Sequence, residues 1–408
     1  MRLLLICQHF YPDMVSTGLH MTELTTKWKE LYPDVEISVF TAENSRGDSN
    51  ETFLKNEIYK GVSIHRVKNI GRHHGNLLSR FVFSLAFIFK SFFFLIFKKK
   101  NYDLLIITTN PPFLGLLILT LNYFLKVPYV VIAYDIYPQI LDKMGILEKH
   151  SFLYKFWKLL NIKVYNNASK IISIGNDMSA IIQNEMCIVD NSKIELIYNW
   201  SDKSKVFPVE SSCNNFLLKN GFENKKILLY SGTLGSTHNI EEILIAADEL
   251  KNEIDILFLF IGSGTKADLV RKYIENSGNS NVILLPFQPI DIISQTLSSA
   301  TLSFVCLDSS FTGLSVPSKA YGILAAKVPI IGMMHDNAEI SKMIEEFQCG
   351  VVWNSGKNIK LSLLIMELIY NDDSLNKMKL NAYNAFINNF DIDIAVKKYN
   401  SVLKSILK

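Results

Sequence analysis

Cysteine is scarce and unpatterned. The five residues, Cys7, Cys187, Cys213, Cys306 and Cys349, are odd in number and show no C-x-x-C spacing, which argues against a disulfide framework and against a zinc site. An excess of charge of one sign is also missing: a formal +3 over 408 residues leaves no dense basic face, so nucleic acid is not an expected partner. Two acids at D-x-D spacing occur once, as Asp391-Ile392-Asp393. They stand just before an amphipathic run from Ile394 to Leu407, where acids cap a helix start, so no bound metal and no cofactor are expected. The opening Met1 to Cys7 has too short an apolar stretch for a signal peptide and no small-residue cleavage site. It reads as a first strand, in a chain that stays in a reducing cytoplasm.

What is present is core material, 49% hydrophobic against 20% charged residues, enough for two or three compact units. Short runs of Ile, Leu and Val recur at Arg2 to Cys7, Glu36 to Thr41, Leu104 to Thr108, Tyr129 to Ala133 and Lys170 to Ile174. The scheme repeats at Lys226 to Tyr230, Ile256 to Ile261, Val282 to Leu285, Leu302 to Val305 and Pro329 to Gly332. Strands that are apolar without alternation are buried on both faces, so these runs predict an α/β chain with two doubly wound parallel sheets covered by helices. A linker is expected from Asn199 to Asn215, which holds Pro208, paired serines and paired asparagines without apolar periodicity. Two such domains facing across a cleft would share a ligand beyond the carboxyl ends of their strands.

From Phe81 to Phe97 the chain reads FVFSLAFIFKSFFFLIF, flanked by Arg72, His73, His74 and Arg80 before it and by Lys98, Lys99 and Lys100 after it. Spanning a bilayer takes about 20 apolar residues, and this run is shorter and carries Lys90 in its middle. Basic flanks around an aromatic helix fit a segment lying in the headgroup region. A spanning helix and a buried core helix stay open as alternatives.

Three loops have the composition of ligand sites. Tyr11-Pro12-Asp13-Met14-Val15-Ser16-Thr17-Gly18-Leu19-His20 follows the first strand and precedes a helical pattern beginning near Met21. Tyr230-Ser231-Gly232-Thr233-Leu234-Gly235-Ser236-Thr237-His238-Asn239 precedes a helix with Glu241 and Glu242 in its first turn, and Gly262-Ser263-Gly264-Thr265-Lys266-Ala267 follows the next strand. Glycines there let backbone N–H groups approach an anion, although an ordinary βα turn has the same composition. No acid ends the strand Val282 to Leu285, so the G-x-G-x-x-A match does not complete a dinucleotide fingerprint. In Val316-Pro317-Ser318-Lys319-Ala320-Tyr321-Gly322, Pro317 opens a helix and Lys319 stands in its first turn. A lysine opposes the dipole there, which makes sense beside a phosphate; a solvent-exposed lysine is the other reading.

The order of these pieces resembles the retaining, family 4 glycosyltransferases of the GT-B fold, in the subgroup that builds O-antigen, capsule and colanic-acid polysaccharides. The segments that carry the resemblance are FYPDMVSTGLH, AYDIYPQILDKMGIL, KIELIYNW, LLYSGTLGSTHNIEEILIAA, FLFIGSG, VILLPFQP and GLSVPSKAYGILAAKVPIIG, spread over nearly the whole chain. The resemblance implies a Rossmann-like acceptor-binding domain over residues 1–205 with an interfacial segment near 77–100. It implies a Rossmann-like nucleotide-sugar-binding domain over 206–390 and a C-terminal helix over 391–408 that crosses back to the first domain. The implied reaction moves a sugar from a nucleoside-diphosphate donor, UDP expected, to a polyprenyl-diphosphate-linked saccharide, with retention, at the cytoplasmic face of the inner membrane.

By position, the resemblance places the diphosphate on Gly232, Thr233, Leu234, Gly235, His238 and Asn239, and the nucleoside on Gly262, Gly264, Phe287 and Gln288. The phosphates also meet Ser318 and Lys319, with Tyr321 on the same segment. From the other domain it brings Tyr134 and Asp135 toward the sugar and Gly18 toward the diphosphate and acceptor. Asp135, Lys319 and His238 are the catalytic candidates. The departures are specific: an Arg and a Lys of the relatives' glycine loop are Thr233 and His238 here, and two glutamates at E-x7-E spacing are Leu314 and Gly322. A nucleotide-sugar epimerase or hydrolase on the same architecture is the alternative.

Overall fold

A computed structural model describes residues 1–13, 16–43, 53–68, 77–98, 101–354, 356 and 359–407, without the side chains of 16, 77, 78, 80 and 122–125. Met14, Val15, Arg72, His73, His74, Lys99 and Lys100, and the side chains of Ser16 and Arg80, therefore lie outside the described residues. The chain divides into two units, Met1–Tyr198 with Val396–Lys408, and Asn199–Ala395.

The first unit is built on β1 (Arg2–Ile6), β2 (Glu36–Glu43), β3 (Asn56–Tyr59), β4 (Val62–Lys68), β5 (Leu104–Thr108), β6 (Tyr129–Ala133), β7 (Lys170–Ser173) and β8 (Ile194–Leu196). Their order is β3-β4-β2-β1-β5-β6-β7-β8. The central strands are buried along their lengths, as continuous apolar runs require. The wholly parallel sheet expected from sequence is corrected at one edge, where β3 and β4 pair antiparallel. There the residues alternate, with Val62 and Ile64 buried and Ile58 exposed, and Lys60-Gly61 at φ of +47° and +79° closes the hairpin. The first helix also starts earlier than expected, at Ser16 rather than near Met21, so Gly18 lies within its first turn.

In the second unit β9 (Lys226–Ser231), β10 (Ile256–Ile261), β11 (Val282–Leu285), β12 (Leu302–Cys306), β13 (Ile330–Met333) and β14 (Gly350–Trp353) are ordered β11-β10-β9-β12-β13-β14, all parallel. Phe258, Phe260 and Phe304 fill its core. Much of the expected linker belongs to this unit. The Phe207 and Val209 N–H groups donate to Ser294 and Ser298 Oγ, Asn214 Nδ2 donates to the Gln295 carbonyl, and Asn214 caps the helix Asn215–Asn220. Ser201 pairs with Asp391, so the contact boundary falls at Tyr198–Asn199, ahead of 205–206.

Asp391 accepts from the Asp393 N–H at 2.9 Å as the helix Ile392–Ile406 begins, and Lys203 contacts both acids at 3.4 and 2.8 Å. Farther along that helix Val396, Tyr399 and Leu403 are fully buried in the first unit, and Trp28 Nε1 donates to Asn400 Oδ1 at 3.3 Å.

The aromatic run forms the helix Leu77–Lys98. Phe83, Phe87, Ser91 and Leu95, four apart, are buried, with Phe87 and Phe94 stacked on Phe40 at 5.7 and 4.3 Å. On the other face Phe81, Leu85, Phe89, Phe93 and Phe97, again four apart, are 50, 43, 64, 44 and 79% exposed. The helix is thus neither a wholly buried core element nor free of the unit's core.

Candidate active site

In the second unit the chain order reverses between β9 and β12, the place where open α/β sheets bind ligands. Two glycine loops leave the sheet there and pack on each other. The Leu234 N–H donates to the Ser263 carbonyl and the Lys266 N–H to the Leu234 carbonyl, both at 2.9 Å. Gly262 and Gly264 have φ of +144° and +148°, and side chains there would stand 2.0 Å from the Gly232 carbonyl oxygen and 2.5 Å from that of Leu234. The tight spacing of the loops therefore demands these glycines. The Leu234 side chain is fully buried in the core, which leaves only its backbone for a ligand.

Lys319 opens the helix Lys319–Ala325 and reaches under the first of these loops. Its Nζ stands 3.9 Å from the centroid of the Tyr230 ring and 3.2 Å from the position a Cβ on Gly232 would take. The ammonium is buried and has no hydrogen-bond partner among the described residues. Burial lowers its pKa to about 8. A buried unpaired cation is costly, and the face of the Tyr230 ring offsets part of that cost.

His238 closes the same loop. Its Nδ1 accepts from the Gly235 N–H at 3.2 Å and lies 2.8 Å from the Tyr230 hydroxyl, which also contacts the Thr233 carbonyl at 2.8 Å. Burial, then the nearby Lys319 charge, pushes its pKa down to about 4. In the ligand-free protein His238 is thus a neutral imidazole whose Nδ1 fixes the loop. Lys266 braces the arrangement, donating to the His238 carbonyl and to Glu241, each at 2.7 Å; the G-x-G-x-x-A spacing gave it no role.

The remaining second-unit candidates separate. Phe287 is 55% exposed and its ring edge would lie 3.4 Å from a Cβ on Gly262, so it is gathered to the second glycine loop. Gln288 is turned to its own chain, donating to the Pro286 carbonyl. Ser318 precedes the helix without capping it through its side chain. Asn239 lines a different cavity, of about 380 Å³, with Asp308, His335 and Asp336. Tyr321 is 1% exposed and packs 5.1 Å from the Phe390 ring, which makes it a core residue.

In the first unit the corresponding reversal lies between β1 and β5. A Cβ on Gly18 would stand 2.5 Å from the Asp13 carbonyl oxygen, so the loop after β1 folds tightly onto the helix start. Thr109 Oγ1 accepts the N–H groups of Tyr134 and Asp135 at 3.1 and 3.2 Å, fixing both after β6. The Tyr134 ring lies 6.1 Å from that of His20, nearly parallel to it, and burial raises the phenol pKa and lowers that of the imidazole. In the loop after β1, His9 Nδ1 and Asp13 Oδ2 form a buried pair at 2.7 Å. His9 and Thr109 escaped the sequence reading because they lie in different segments, just after β1 and just after β5, and only the pairing of those strands brings the two segments side by side. Among the described residues no three His, Cys, Asp or Glu side chains converge as metal ligands.

Residues 18–205 match Glycosyltransferase Family 4 and residues 216–385 match Glycosyl transferases group 1. WbjE of Pseudomonas aeruginosa, whose name describes a glycosyltransferase, is 32% identical over 297 residues, 72% of each chain. WcaI of Escherichia coli K12, whose name assigns it to colanic acid biosynthesis, is 27% identical over 152 residues, 36% of this chain and 37% of its own. Among solved structures, Anabaena HepE in complex with UDP superposes with a TM-score of 0.72 at 14% identity, over 99% of this chain and 100% of its own. The chain belongs to the family 4, group 1 glycosyltransferases. Its two Rossmann-like units are those of the GT-B fold.

Proposed function

We propose that this glycosyltransferase moves a hexosyl or N-acetylhexosaminyl group from a UDP-sugar to a polyprenyl-diphosphate-linked saccharide, with retention, in assembly of an O-antigen or capsule type polysaccharide. The observation that carries the donor reading is the Lys319 ammonium, buried and unpartnered beneath the glycine loop. A nucleotide sugar leaves as a diphosphate, so catalysis needs charge fixed in advance where those oxygens become more negative. Lys319 supplies that charge, the loop amides supply hydrogen bonds, and neutral His238 supplies a fixed dipole. Phe287 beside Gly262 offers an exposed aromatic face to a base. Asp135, in the first unit, orients the sugar and stabilises its positive character, while the leaving phosphate takes the acceptor proton on the same face. The names of HepE's UDP complex and of WcaI's pathway support UDP and surface polysaccharide as the reading for this chain; the epimerase or hydrolase alternative has no such support.

A lipid-linked acceptor implies work at a membrane. The exposed aromatic face of Leu77–Lys98 supports a peripheral location on the cytoplasmic side of the inner membrane, with Lys98 at its end. Lys319→Ala tests the donor reading. It is expected to lower kcat/KM about 100-fold or more and abolish the rise in Tm given by UDP, with far-UV circular dichroism unchanged. A variant within about twofold of wild type in both would refute it.

A further inference from the structure

Residues 152–167 read FLYKFWKLLNIKVYNN, sixteen residues with three lysines and no acid, and they form one helix. Tyr154, Trp157, Val164 and Tyr165 turn inward, with the Trp157 ring stacked on Phe113 at 4.1 Å and on Tyr137 at 5.8 Å. The outward face carries Phe152, Leu153, Phe156 and Leu159 at 84, 54, 48 and 60% exposure. Phe152, Phe156, Leu159 and Lys163 follow the i, i+4, i+7, i+11 spacing of a single stripe. Lys155 and Lys163 on the helix and Lys149 just before it are exposed, and their ammonium groups form no ion pair among the described residues. The acids nearby are Asp142, whose carboxylate accepts from the Lys149 N–H, Glu148, and Glu185, which pairs with the helix's third lysine, Lys158, and also feels the Lys149 charge.

The helix has a relation to Leu77–Lys98. The helix Leu114–Leu125, LGLLILTLNYFL and free of charge, packs against both. The three helices lie in the β4 to β5, β5 to β6 and β6 to β7 crossovers, which all run the same way along the sheet. Right-handed crossovers of the same direction put their helices on the same face. The two exposed apolar stripes therefore share that face of the first unit.

We propose that the helix Phe152–Asn167 is a second lipid-contacting element, seating the first unit on an anionic bilayer together with Leu77–Lys98. The chemistry commits to lipid: rings and aliphatic chains enter the acyl boundary while unpaired lysines at the margin meet acidic headgroups. The inference deepens the membrane reading above and rests on it.

The test is co-sedimentation of the full-length protein with vesicles of phosphatidylethanolamine and phosphatidylglycerol, against vesicles of phosphatidylcholine alone. The triple variant Phe152→Ser, Phe156→Ser, Leu159→Ser touches only exposed side chains. It is expected to keep the wild-type Tm and bind anionic vesicles about tenfold more weakly, and Lys155→Glu with Lys163→Glu is expected to erase most of the preference for phosphatidylglycerol. Wild-type binding by the folded triple variant overturns the inference, as does a triple variant whose only change is loss of self-association in sedimentation velocity. A parallel variant, Phe89→Ser, Phe93→Ser, Phe97→Ser, separates the two readings. If it alone loses binding, only the second element fails; if wild type binds neither vesicle, the membrane reading fails with it.

Discussion

A lysine in the first turn of a helix works against the helix dipole, and a buried one also loses its hydration. Lys319 bears both costs, and burial brings its pKa from 10.5 to about 8. Between those values the unfolded chain holds a proton that the folded, ligand-free protein does not, so this group makes stability rise with pH across that window. The activity trend has the opposite sign. The free enzyme loses its cation as pH passes about 8, so kcat/KM is expected to fall on that alkaline limb, while kcat is affected less because bound diphosphate holds the proton. A kcat/KM profile flat from pH 7 to 10 would rule out the ammonium as the group required. From sequence alone, Lys319 stood out by position, with a solvent-facing lysine as the other reading. The Tyr230 ring beneath its ammonium and the loss of water around it depend on contacts between residues eighty-nine apart in number, counting from 230 to 319.

At the scale of elements, the two glycine loops form one object. The resemblance assigned Gly232 to the diphosphate and Gly262 and Gly264 to the nucleoside, and that reading is only half of their physics. Gly262 is needed first because a Cβ would strike the Gly232 carbonyl oxygen and because φ of +144° disfavours any other residue. Gly262→Ala is therefore expected to displace the first loop from Lys319, lowering stability by roughly 1–3 kcal/mol and reducing UDP binding by more than that loss of stability explains. Calorimetry with and without UDP measures both; unchanged UDP affinity would show that the loops are not coupled. Continuous apolar runs exposed ten strands to sequence reading because burial on both faces removes alternation. The β3–β4 hairpin was missed because it is a half-exposed edge that lacks a continuous apolar run, and β8 and β14 because Ile194-Glu195-Leu196 and Val351-Val352-Trp353 are too short to stand out. The helix Leu77–Lys98 was visible as apolar, but its division into a buried and an exposed face was not. Phe92, Phe93 and Phe94 look alike in the sequence, yet Phe94 packs on Phe40 while Phe93 is exposed.

For the molecule as a whole, the first unit draws on both ends of the chain, since residues 396–408 pack with residues 1–198. Leu403→Ala removes a fully buried side chain and is expected to cost about 2–5 kcal/mol, read as a lower Tm for the first unit when the two units unfold separately. A variant that melts like wild type would mean this segment adds little to the unit. Apolar runs and loop composition determined by themselves that the chain is α/β and doubly wound twice, because strand burial and backbone freedom are local requirements written residue by residue; the family followed from the resemblance of the motifs in their order. Tertiary structure alone decided that Tyr321 and Leu234 are core, that His238 is neutral and that the Lys319 ammonium is buried without a partner, because burial, pKa and pairing depend on neighbours brought from distant parts of the chain.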